Sequence, residues 1–179
     1  MFQNSPRSDP LEEMCVRHRV PLETLDFGAF TELEQGTWRV CRGDNVIVST
    51  GGLGPCLGIG VYDPASKAAV CGHFTDTAIE GKVLDSFFDF VESLAAQSTG
   101  VKIGVGGLAP CPEADRTDRA AEELRAAVLE RVRALNISED DLTIEWSTND
   151  ICTAIDVVLS EERIDIAEFP SHTDLDVDF

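Results

Sequence analysis

The chain has 179 residues, 43% of them hydrophobic, which suits one domain with a proper core. Its net charge is −19, from 33 acidic and 14 basic residues, and only Lys67, Lys82 and Lys102 among the basic ones are lysines. Phosphate binding needs a basic footprint, so nucleic acid is not expected as a partner and anionic membrane surfaces are disfavoured.

No stretch reaches the length of a membrane span, and the N-terminus (Met1-Phe2-Gln3-Asn4-Ser5-Pro6) lacks a basic-then-apolar leader, so no membrane insertion and a cytoplasmic location are expected. The acidity itself reads as solubility or a salty or high-GC origin, the alternative being a basic docking partner. Six cysteines (Cys15, Cys41, Cys56, Cys71, Cys111, Cys152) are dispersed, with no C-x-x-C pair, and the three histidines are scattered. No zinc site is expected, and the cysteines other than Cys56 read as small residues or free thiols.

Residues 1–36 stand apart as an N-terminal arm or extension. They carry Pro6, Pro10 and Pro21, dispersed apolar residues, and a basic knot at Arg17-His18-Arg19. A packed arm, a partner-binding segment and disorder are the three readings, and the apolar content favours packing. Residues 38–41 and 46–50 read as paired strands of a hairpin around Arg42-Gly43-Asp44-Asn45. A second hairpin follows, with strands at 57–62 and 68–74 joined by Asp63-Pro64-Ala65-Ser66.

Helical spacing of Val83, Leu84, Phe87, Phe88, Val91, Leu94 and Ala95 predicts a helix over 82–97. A buried strand is expected at 101–105, then a break at Pro110-Cys111-Pro112. Thr117 or Asp118 is the expected cap of a second helix ending at Leu135, with Ala121, Leu124, Val128 and Val132 on its apolar stripe. Strands at 142–146 and 154–159 follow, and 163–166 pairs back across Ser160-Glu161-Glu162. These elements predict an α+β fold: a single domain over 37–168, with mixed, largely antiparallel sheets packed with two main helices. Residues 169–179 are an acidic tail or edge strand, without the glycine turn and distal glutamate of a calcium loop.

The chemistry concentrates between Thr50 and His73. The run Val46-Ile47-Val48-Ser49-Thr50 leads into Gly51-Gly52-Leu53-Gly54-Pro55-Cys56, and the second hairpin returns to Cys71-Gly72-His73. Closing that hairpin makes Cys56 and His73 spatial neighbours, and a thiol beside an imidazole is an activated nucleophile. Cys71, two residues from His73, shares its strand face and is an outside candidate for a neighbour of the site. No Gly-Lys-Ser/Thr follows the glycines, so a P-loop is excluded and a dinucleotide fingerprint is not met. Gly52, Gly54 and Pro55 instead form a loop from which backbone N–H groups can converge as an oxyanion hole.

Thr50, Cys56 and His73, the Gly-Leu-Gly before the cysteine and the Tyr62-Asp63-Pro64-x-x-Lys67 turn closely resemble the CheD family, as does the strand and Gly-Gly turn at 101–107. The resemblance covers roughly residues 38–168 and is most specific in its first third. It implies a chemoreceptor glutamine deamidase on a fold shared with deamidating bacterial toxins, with Cys56 as nucleophile, His73 as acid and base, and Thr50 orienting the imidazole. A protein substrate, possibly a chemoreceptor, is then the partner, and neither a metal nor an organic cofactor is needed. Two departures from the family lie beside the site: Pro55 replaces a small hydroxylated residue, and Phe74-Thr75-Asp76-Thr77 replaces an apolar run with a proline. The alternatives are a catalytically inactive module that keeps the fold for docking in a signalling complex, and a deamidase acting on a non-receptor protein.

Overall fold

A computed structural model describes residues 9–75, 79, 81–111 and 117–171. The fold is α+β, built as three layers: helices, a six-stranded mixed sheet, and a four-stranded mixed sheet. The larger sheet runs β1-β3-β6-β5-β7-β8, from β1 (Leu22–Thr24), β3 (Thr37–Arg42), β6 (Ala68–Phe74), β5 (Leu57–Asp63), β7 (Lys102–Gly107) and β8 (Leu142–Trp146). The smaller runs β10-β9-β4-β2, from β10 (Arg163–Pro170), β9 (Ile151–Val158), β4 (Ile47–Leu53) and β2 (Phe30–Glu32). Among the described residues the α-helices are α1 (Pro10–His18), α2 (Lys82–Ala95) and α3 (Asp118–Ala134). No described helix is long and apolar enough to cross a membrane.

Strand alternation sorts the residues of β5 and β6 between two cores. Leu57, Ile59, Val61, Val70 and Phe74 face the helices, where Phe87, Phe88, Phe90 and Val91 of α2 meet them. Phe74 and Trp38 both pack edge-on against Phe87, with ring centroids 5.2 and 5.7 Å away. Tyr62, Ala69 and Cys71 face the smaller sheet and join Val46, Val48 and Val157. Gly60 and Gly104 also face it: a Cβ on Gly60 would stand 2.8 Å from Val157, and one on Gly104 2.5 Å from Ile164. Glycine at these positions lets the two sheets close on each other.

The expected hairpin between 38–41 and 46–50 does not form. β3 pairs with β1 and β6 in the larger sheet, whereas β4 pairs with β2 and β9 in the smaller one. The turn residues bond to segment 25–28 instead: Leu25 N donates to the Arg42 carbonyl at 2.8 Å and Gly28 N to that of Asp44 at 3.2 Å. Asn45 adopts φ 56°, so the chain leaves one sheet and enters the other. Val46, Val48 and Thr50 thereby turn inward and are all buried.

Residues 9–36 take the packed form among the three readings. Asp9 caps α1 by accepting from Leu11 N at 2.9 Å, Pro10 sits in the first turn, and Arg19 ends the helix in the left-handed region. Leu11, Met14 and Cys15 enter the helix-side core. Arg42 of β3 pairs with Asp9 and Glu12, and its guanidinium holds the Asp9 carboxyl below the usual range. The same segment supplies β1 and β2, a parallel edge strand for each sheet.

Thr117, one of the two expected caps, accepts from Ala120 N at the start of α3. The 57–74 hairpin forms with Leu57 opposite Phe74 and Asp63 opposite Ala68, and the Asp63 carboxylate accepts from Ala65 N, Ser66 N and the Ser66 hydroxyl in its turn. β9 and β10 pair antiparallel as expected. The expected tail begins inside β10, which ends at Pro170, and residues 172–179 lie outside the described residues.

Candidate functional site

Thr50 and His73 meet across the interface of the two sheets. The Thr50 hydroxyl and His73 Nδ1 are 3.0 Å apart, and both residues are buried, at 0% and 2% exposure. Each arrives there for a local reason. Val48 and Thr50 alternate inward along β4, in step with Val46 just before it, and His73 faces the smaller sheet because it lies two residues beyond Cys71 on β6. His73 Nε2 is buried and has no hydrogen-bond partner among the described residues. Burial lowers the His73 pKa below its ordinary 6.5, opposed by the negative charge of Glu32.

His73 stands opposite Gly58 on β5. Cys56 lies two residues before Gly58 and one rung beyond the Leu57–Phe74 pair, at the end of the strand where the glycine loop joins it. It is partly exposed, whereas Cys15, Cys41 and Cys71 are buried. Burial pushes the Cys15 thiol up to about 11, that of Cys41 to about 12 and that of Cys71 well above its usual value. These three are inert packing groups. Cys71 does share the His73 face, but it lies within the inter-sheet core. Cys111 and Cys152 are partly exposed, and burial raises the Cys152 thiol.

The glycine loop is fixed by its carbonyls. Leu108 N donates to the Cys56 carbonyl at 2.8 Å, Ala109 N to that of Gly54 at 2.8 Å, and the Ser147 hydroxyl to that of Leu53. Ser147 also bonds Thr153 through its hydroxyl at 3.1 Å and Gly107 O through its N–H at 2.9 Å. Gly107 has φ +97°, and a Cβ there would land on the Cys56 carbonyl oxygen. Gly54 N donates to Gly52 O at 2.9 Å, so its donor is spent inside the loop, and Pro55 has none. Gly52 is exposed at φ +65°, with open space where a Cβ would be.

Thr50 and His73 are thus in contact, with Cys56 at the adjoining strand end. Gly107, Leu108, Ser147, Thr153 and Glu32 join the site from outside the motif. The Gly106-Gly107 pair closing a strand was the one local signal available; the others reach the site through long-range pairing. Phe74, the first of the residues departing from the family after His73, is a core side chain, and residues 76–78 lie outside the described residues. Among the described residues no group of three His, Cys, Asp or Glu is placed to hold a metal. A cavity of about 430 Å³ lies at the opposite end of the hairpin, lined by Asp9, Leu11, Met14, Asp63, Ser66 and Leu94. Its carboxylates are committed, Asp63 to its turn and Asp9 to Arg42.

No family model and no curated protein matches the chain. Solved structures similar to it include the hypothetical protein YfiH of Bacillus licheniformis, at 10% identity over 76% of this chain and 67% of that one, with a TM-score of 0.42. Another is protein NMB0706 of Neisseria meningitidis, which bears the designation DUF152, at 11% identity over 80% and 72%, with a TM-score of 0.34. Neither likeness assigns a chemistry to the site.

Proposed function

We propose that this protein is a cysteine amidohydrolase of the CheD type, converting a protein glutamine side chain to glutamate. The observation that carries the reading is the buried Thr50–His73 contact, which occupies Nδ1 and leaves Nε2 without a partner at the strand end that bears Cys56. A histidine held in this way is a general base with one nitrogen anchored and one in reserve.

In the mechanism, Nδ1–H donates to the Thr50 oxygen, which fixes the tautomer and makes Nε2 the basic nitrogen. Nε2 takes the Cys56 thiol proton as sulfur attacks the carboxamide carbon, forming the C–S bond and placing the electron pair on oxygen. The oxyanion is held by the Cys56 N–H, since Gly54 N is bonded to Gly52 O and Pro55 has no donor. The imidazolium returns its proton to nitrogen, the C–N bond breaks, and ammonia leaves a thioester. Nε2 then deprotonates water, which attacks the thioester and releases the glutamate side chain and the Cys56 thiol.

A docking module without turnover is the second reading. It is favoured by the loop chemistry at Gly54 and Pro55, which withdraws two donors from the position where the oxyanion would form. Incubation with chemoreceptor cytoplasmic fragments and other candidate proteins, followed by peptide mass spectrometry, separates the two. Glutamine-to-glutamate conversion that disappears in Cys56→Ser supports the enzyme; binding without conversion supports the module.

A further inference from the structure

We propose that Arg125 is a positioning residue for Cys56, acting from helix α3 through the backbone of Leu108 and Ser147. The inference rests on the assignment of Cys56 as nucleophile. Arg125 Nε donates to the Leu108 carbonyl at 3.1 Å and Nη2 to the Ser147 carbonyl at 2.7 Å. Its guanidinium lies over the Trp146 ring, 5.4 Å from the centroid. Those two carbonyls belong to the segments that hold the nucleophile loop. Leu108 N bonds the Cys56 carbonyl, and Ser147 bonds both Leu53 O and Gly107 O. One planar fork therefore joins the two straps that grip the loop from Leu53 to Cys56.

Two features set this apart from an ordinary surface arginine. Leu108 is fully buried at φ +55°, a left-handed conformation that is unfavourable for a residue with a Cβ. Such a conformation persists only where several contacts enforce it. The carbonyl bond from Arg125 and the amide bond to Cys56 enforce it from its two sides. Arg125 also forms no ion pair among the described residues, and the acid whose charge it feels is Glu122 on the same helix. Burial lowers its pKa. The guanidinium is thus committed to two backbone carbonyls. Only a bidentate guanidinium spans both carbonyls, which a lysine ammonium does not.

The test uses Arg125→Met and Arg125→Lys in the full chain, with two readouts. Hydrogen exchange reports the Leu108, Ala109 and Ser147 amides against those of α3. Iodoacetamide labelling, resolved by peptide mapping, gives the Cys56 rate at pH 7 relative to pH 9.5. An unassisted thiol of pKa about 8.5 is roughly 3% ionised at pH 7, so losing alignment with His73 lowers that ratio by up to about thirty-fold. We expect exchange at the three amides to rise in both variants, and the Cys56 ratio to fall at least about ten-fold while that of Cys152 is unchanged. Unchanged protection, a Cys56 ratio equal to wild type, or full rescue by lysine overturns the proposal. A wild-type Cys56 that labels no faster than Cys152 defeats the nucleophile reading itself, and the exchange data then describe a purely structural clasp.

Discussion

Gly107→Ala tests how tightly the Cys56 loop is built. Gly107 sits at φ +97°, beyond the left-handed region that L-residues tolerate, so a side chain there costs about 1–2 kcal/mol in the backbone alone. Its Cβ would land on the Cys56 carbonyl oxygen and stand 3.1 Å from the carbonyl carbon and 3.2 Å from the Leu53 Cβ. Relieving that overlap moves the loop away and breaks the Leu108 N–Cys56 O bond, a further loss of about 1 kcal/mol. The sum is about 2–3 kcal/mol. Gly52→Ala is the control, since Gly52 has φ +65° but open space around the missing Cβ, and it should lose only the backbone part. Urea unfolding of both variants gives the comparison directly. If Gly107→Ala is no more than about 0.5 kcal/mol worse than Gly52→Ala, the scatter of ordinary substitutions, the loop is not gripped as described.

Further outcomes follow from the same contacts. Thr50→Val removes the hydroxyl beside His73 Nδ1 and strands a buried nitrogen, so stability should fall by about 1–3 kcal/mol and deamidation about ten- to hundred-fold; an unchanged rate means that Thr50 merely ends its strand. His73 stays neutral in the fold below the pH at which the unfolded chain protonates it. Stability should therefore decline as pH falls from about 6.5 toward the lowered folded pKa, and His73→Gln should lose that slope between pH 7.5 and 5.5 in urea titrations. Gly60→Val forces a branched side chain onto Val157 and Ile155, whose methyls would lie 2.8 and 2.9 Å from its Cβ, and should cost about 1–3 kcal/mol by overpacking, read from the thermal midpoint. With −19 on the body, affinity for an acidic receptor stalk should rise with added salt; tight binding at low salt that weakens as salt rises contradicts this.

The legible parts of the fold were those written in local periodicity and turn chemistry. Phe87, Phe88, Val91 and Leu94 recur at helical spacing, and Asp63-Pro64 bounds two apolar runs, so α2 and the β5–β6 hairpin follow from the sequence. The pairing of β3 with β4 failed because Gly43 and Asn45 serve equally well to turn a hairpin or to cross between sheets. The choice was made by residues 22–32, whose two short strands claim the edges of both. Helix α1 was within reach: Asp9-Pro10 followed by Leu11, Met14 and Cys15 is a cap and an i, i+3, i+4 stripe, obscured by the charges between. At the site, the contact of Thr50 with His73 was an expectation of the family resemblance, and inward alternation along the two strands is its physical reason. Arg125, Ser147 and Thr153 were not legible, because their approach depends on β7–β8 and β4–β9 pairing rather than on any motif.

The central claim is that Cys56 is a nucleophile served by His73. It is tested most directly by the pH dependence of iodoacetamide labelling at Cys56, resolved by peptide mapping, in the wild type and in His73→Ala. Labelling of Cys56 at pH 7 should outpace that of Cys111 and Cys152 and should drop to their level when His73 is removed. A Cys56 that labels no faster than those two, or just as fast without His73, would contradict the account.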